Sequence, residues 1–71
     1  MKVKLTFLET FDSEFNGTSY KIYQFCNPIT FEVVNGVNLE PSIKLVPYDL
    51  FLCTMERRGK KWKVTDVAKL D

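Results

Sequence analysis

The chain of 71 residues has no histidine, only two cysteines and three glycines, and almost no net charge: +1, from ten basic and nine acidic residues. Each shortage removes a class of function. Without histidine, the side chain that most often moves protons near neutral pH is missing. The carboxylates Glu9, Asp12, Glu14, Glu32, Glu40, Asp49, Glu56 and Asp66 are scattered along the chain. No spacing pairs them for general acid and base work, so they read as solvated surface groups. Three isolated glycines suit turns and do not build a phosphate-cradling loop. Cys26 and Cys53 are too few for a disulfide framework, and no C-x-x-C spacing suggests zinc. Each lies in an apolar, strand-like run, where a free thiol acts as a small buried hydrophobe. The expectation is a non-catalytic chain with no cofactor and no metal.

Long apolar runs are missing too. The start, Met1-Lys2-Val3-Lys4-Leu5-Thr6-Phe7, has a basic beginning without the apolar stretch of a signal peptide. No run approaches the ~20 residues of a membrane span. A cytoplasmic protein with no membrane partner is therefore expected. The length allows one domain, residues 1–71, whose small core gives marginal stability unless it is well packed or shared in a homodimer.

Strand signals are abundant. Residues 2–11 alternate, with Val3, Leu5, Phe7 and Phe11 on one side and Lys2, Lys4, Thr6 and Thr10 on the other. Residues 18–26 alternate as well. Asn16-Gly17 between them supplies the two positive-φ residues of a type I′ hairpin turn, and a two-residue turn fixes register. Phe15 then faces Thr18, Ser13 faces Tyr20, Asp12 faces Lys21, Phe11 faces Ile22, Leu8 faces Phe25 and Phe7 faces Cys26. Glu9 fits badly on the apolar side of this register, which predicts a bulge or bend near it that turns it outward. Residues 29–34 read as a third strand, with Ile29, Phe31 and Val33 on one side. Residues 35–47 read as a long connection, with a short strand possible at Ile43–Val46 and with Pro41 and Pro47 opposing a helix. Residues 48–56 and 61–68 read as a closing hairpin around Arg58-Gly59, with Met55 opposite Trp62, Cys53 opposite Val64 and Glu56 opposite Lys61. Five short strands predict an all-β fold, a small OB-like or alternatively SH3-like barrel. A sheet packed on one helix is the competing architecture, but no helical pattern of ten or more residues supports it.

Two surfaces emerge as binding candidates. The first is the basic hairpin. Residues 1–35 carry three basic and four acidic groups and residues 36–71 seven and five, and the excess concentrates in Arg57-Arg58-Gly59-Lys60-Lys61-Trp62-Lys63. Arg57, Arg58, Lys60, Lys61 and Lys63 suit a phosphate backbone, and Trp62 either stacks a base or packs into the core against Met55. The bland reading of the charges is a solvated turn that keeps an edge from aggregating. The second surface is the non-core face of the first hairpin, where Lys2, Lys4 and Lys21 surround Tyr23 and Phe25. Rings among lysines suit single strands, whose bases stack while phosphates meet ammonium groups. The same surface equally suits a protein partner or a homodimer, or ordinary burial in a second core.

Tyr20-Lys21-Ile22-Tyr23-Gln24-Phe25, the basic hairpin, the compact length and the five-strand order together resemble small OB-like single-stranded-DNA-binding and replication accessory proteins of bacterial phages and mobile elements. The chain departs from that pattern in its low net charge. The resemblance implies a partner of single-stranded DNA or RNA. The alternative is a protein-interaction or self-assembly module of a phage or mobile element.

Overall fold

The computed structural model describes residues 1–70 and is all-β among them. Its strands are β1 (Lys2–Phe15), β2 (Thr18–Cys26), β3 (Val33–Val37), β4 (Leu50–Arg58) and β5 (Lys61–Ala68). They form one sheet in the order β1-β2-β3-β5-β4, and β4 pairs back onto β1, so the sheet closes. Every ladder is antiparallel except β3 with β5, which meet in parallel at Gly36 and Val64.

The first hairpin turns where expected. Asn16 and Gly17 have φ of 51° and 76°, the two left-handed residues of a I′ turn. The register from Phe15↔Thr18 down to Glu9↔Gln24 follows from it, including Asp12↔Lys21 and Phe11↔Ile22. A bulge then lies between Phe7 and Glu9. It absorbs Leu8, so Phe7 faces Phe25 and Thr6 faces Cys26. The expected pairs Leu8–Phe25 and Phe7–Cys26 are thus each displaced by one residue. Because side chains alternate with period two, a one-residue slip exchanges the faces.

That exchange decides the core. Leu5, Phe7, Tyr23, Phe25, Val34, Phe51, Cys53, Met55, Val64 and Val67 are buried inside the barrel. Phe7 joins two ring pairs there, tilted against Phe25 at 5.5 Å and edge-on to Phe51 at 6.5 Å between ring centroids. Such aromatic pairs contribute about 0.5–1.5 kcal/mol beyond their buried area. Phe11, expected in the core, is on the far side of the bulge and 40% exposed.

The third strand begins later than its alternation suggests. Asn27 accepts backbone N–H bonds from Ile29 (2.8 Å) and Thr30 (3.2 Å) through its side-chain oxygen. Its backbone carbonyl accepts from Phe31 N–H at 2.8 Å, and its own N–H donates to the Glu32 carbonyl at 2.9 Å. This local turn satisfies the backbone without a ladder, so Ile29 and Phe31 are in a loop and exposed. β3 instead runs through Asn35-Gly36, expected in the following connection.

Between β3 and β4 the chain forms no strand or helix, so the short strand expected at Ile43–Val46 is absent. Leu39, Ile43 and Leu45 pack against the core from this connection. Among the described residues no helix is long and apolar enough to cross a membrane.

Candidate functional site

The β4–β5 hairpin turns at Gly59-Lys60. Only Gly59 has positive φ, 64°, which is the pattern of a two-residue II′ turn. Arg57 Nε donates to the Gly59 carbonyl at 2.9 Å and braces the tip. With two loop residues, Arg58 faces Lys61, Arg57 faces Trp62, Glu56 faces Lys63 and Met55 faces Val64. A bulge at Thr54/Met55 then sets Cys53 opposite Val67. The expected Met55–Trp62, Glu56–Lys61 and Cys53–Val64 pairs are all displaced, because the turn is centred on Gly59-Lys60, one residue beyond the expected Arg58-Gly59, which shifts the register by two.

This register places Trp62 one step beyond the core. It shares a side of β5 with buried Val64, two residues on, but sits past Met55 at the barrel's end and is 42% exposed. One side of the indole closes a small recess of about 200 Å³ shared with Met1, Leu5, Val34 and Met55. The other faces an open groove of about 470 Å³. Trp62 is therefore not packed into the core opposite Met55 as one reading expected: it borders the recess at the barrel's end and presents surface to solvent.

The groove exists because β3 and β5 touch at one point. Gly36 is opposite Val64, and a Cβ there would lie 2.7 Å from Leu39 Cδ1 and 2.8 Å from the Val64 carbonyl oxygen. Ahead of that contact the strands share no ladder, leaving a gap between Val33–Asn35 and Lys61–Lys63. Its apolar wall is Ile22, Val33 and Val37. Its opposite wall is Lys60, Lys61, Trp62 and Lys63, with Glu32 as the single acid on its lining. Arg58 and Lys63 border an adjoining hollow beside Val37 and Leu39. The apolar wall continues across the sheet, because Phe11 pairs with Ile22 and Ile22 with Val37 in one row over β1, β2 and β3.

The second candidate surface does not survive. Tyr23 and Phe25, expected as exposed stacking rings, are 6% and 0% exposed and belong to the core. The bulge at Leu8 is the cause, since it turns their side of β2 inward. Lys21 is exposed, with its Nζ 5.9 Å from the Tyr23 ring centroid. It lies on the opposite side of β2 from the groove, and its backbone is tied to Asn38 by two 2.8 Å hydrogen bonds. Lys2 and Lys4 are exposed in the β1–β4 ladder opposite Thr54 and Leu52, and neither borders the groove. Of the predicted residues, the structure gathers Lys60, Lys61, Trp62 and Lys63, keeps Arg57 and Arg58 beside them, and separates Lys2, Lys4 and Lys21.

Ile22, Val33, Val37 and Phe11 were missed as surface residues. The signal was present: the bulge expected near Glu9, carried through to Phe25, inverts β2 and exposes Ile22. A further hollow, of about 510 Å³, borders Tyr23 beneath the β3–β4 connection, but Glu9 and Glu40 line it and oppose anions.

Both thiols are free; Cys53 is buried and Cys26 half-buried. Burial, reinforced by nearby Asp66, pushes the Cys53 thiol up to about 12. It is inert packing inside the barrel and no part of the site.

No family model, curated protein or solved structure matches this chain.

Proposed function

We propose that this chain is a non-catalytic, OB-like module that binds single-stranded nucleic acid in the groove between β3 and the β4–β5 tip. The OB-like reading, preferred over the SH3-like one, is supported by the closed strand order with its single parallel β3–β5 contact. OB-type barrels bind oligonucleotides on the face of strands 2 and 3, flanked by the loops joining strands 1–2 and 4–5. The groove has the same location, on the outer side of β2 and β3 beside the β4–β5 turn.

The observation that carries the reading is the setting of Trp62. A half-exposed indole lies among Lys60, Lys61 and Lys63 and faces an apolar wall. An aromatic surface takes a base by stacking regardless of sequence, and ammonium groups follow the phosphates. The apolar wall offers contact to further base faces and no hydrogen-bond code, so little sequence preference is expected.

Trp62 is the sole tryptophan, so intrinsic fluorescence reports the site directly. Titration with oligothymidylate at low salt is expected to quench it saturably. Affinity should fall as salt rises, with a log–log slope of about −2 if three lysines each meet a phosphate. Unchanged fluorescence at ~100 μM ligand in low salt, where even non-specific binding is normally populated, would exclude the proposal.

A further inference from the structure

The β1–β2 hairpin runs past the barrel. β1 is laddered to β4 only over Lys2–Thr6, and β2 to β3 only from Ile22 onward. Residues 10–20 therefore form a two-stranded arm with no strand beside either outer edge. An isolated two-stranded hairpin is marginally stable in water, and open edges with exposed apolar groups recruit a partner. This arm holds Phe11 and Phe15 on one face, 40% and 67% exposed. Its other face carries Glu14, and Asp12 with Lys21 opposite it at the arm's base, whereas residues 57–63 carry five cations and no acid.

We propose that the arm of one copy docks into the lysine-lined groove of a second copy. Charge selects this pairing over the alternatives. Arm against arm joins no opposite charges, and tip against tip sets cation against cation; only arm against groove brings the acidic face of the arm to lysines. Apolar surface agrees, because the arm's other face, with its exposed rings, matches the wall of Ile22, Val33 and Val37 opposite the lysines. Arm and groove are different patches, so the contact is heterologous. It leaves one free arm and one free groove on every pair, and repeats into a chain or closes into a ring.

The inference does not depend on nucleic-acid binding, and its test contains none. In sedimentation velocity the full chain is expected to associate with rising concentration at ~50 mM salt and to dissociate at ~500 mM, where screening is short-ranged. A strict monomer at ~1 mM protein in low salt overturns the proposal. Two double variants separate the halves of the contact. Asp12→Asn/Glu14→Gln removes the arm's charge. Lys60→Glu/Lys61→Glu damages the groove, and it exchanges the like-charged Arg58–Lys61 pair for an opposite one, so folding is not threatened. Each is expected to weaken self-association about tenfold or more. Mixed together they should form a one-to-one dimer and nothing larger, because the mixture holds one intact arm and one intact groove per pair. Failure of the mixture to dimerise, or wild-type association indifferent to both changes, overturns the proposal. Phe15→Ala is the charge-neutral control: it should weaken association in low salt as well, and an unchanged constant would contradict the docking geometry.

Discussion

Trp62 divides its surface between two tasks, and the division sets what its replacement does. One side borders the recess it shares with Met55 and Val34, and the other borders the lysine-lined groove. Trp62→Phe keeps a ring at both and is expected to retain most of the affinity for oligothymidylate. Trp62→Ala should lose about 1–3 kcal/mol of binding, the usual worth of one stacked base, measured by anisotropy of a labelled oligonucleotide. Phe25→Ala behaves differently. Its ring is fully buried, so its loss should cost about 3–5 kcal/mol of stability, enough to unfold much of a domain this small. Cys53 gives a pH-dependent readout. Its thiol ionises near 9.0 when unfolded but only near about 12 in the barrel. Between those values the unfolded chain has released a proton that the folded chain still holds, so folding stability declines as pH rises across this range and is complete below it. Urea melts from pH 7 to 11 should show that decline, and Cys53→Ser should flatten it.

At the scale of elements, one residue in β1 separates what the sequence made legible from what it did not. Asn16-Gly17 fixed seven consecutive cross-strand pairs, because a I′ turn admits a single register. The misfit of Glu9 located the bulge. Its consequence for Tyr23 and Phe25 emerges only when the bulge is carried through the register to Phe25, because alternation alone finds apolar residues on both sides of β2: Ile22 and Cys26 on one, Tyr23 and Phe25 on the other. The larger rings go inside, where they bury more area. The late start of β3 was hidden for a different reason. Ile29, Phe31 and Val33 alternate like a strand, yet the Asn27 carboxamide captures two backbone N–H groups and holds the segment in a turn. The basic site was legible as composition, but its shape was not, because Gly36 reads as a turn residue and is in fact the point where β3 and β5 touch. Gly36→Ala tests that role. The new Cβ would press on the Val64 carbonyl, which cannot swing aside as a side chain would. A loss of about 1–3 kcal/mol is expected in urea denaturation, and unchanged stability would show that the β3–β5 seam yields easily.

For the whole molecule, a net charge of +1 generates no general attraction to polyanions, so any nucleic-acid affinity must come from where the cations lie. The barrel distributes them unequally. Lys2 and Lys4 lie in the β1–β4 ladder and Lys21 on the Tyr23 side of β2, while Lys60, Lys61 and Lys63 share the groove with Trp62. At physiological ionic strength the screening length is about 8 Å, so charges elsewhere on the surface contribute weakly to a ligand held in the groove. Two triple variants of equal charge change therefore diverge. Lys60→Gln/Lys61→Gln/Lys63→Gln should remove most of the affinity and flatten the salt slope by about 2, since each released phosphate contact contributes about 0.7 on a single strand. Lys2→Gln/Lys4→Gln/Lys21→Gln lowers the net charge by the same amount and should leave the slope nearly unchanged. Equal losses from both triples would mean that the ligand responds to total charge and ranges over the barrel; a loss confined to the first assigns it to the groove beside Trp62.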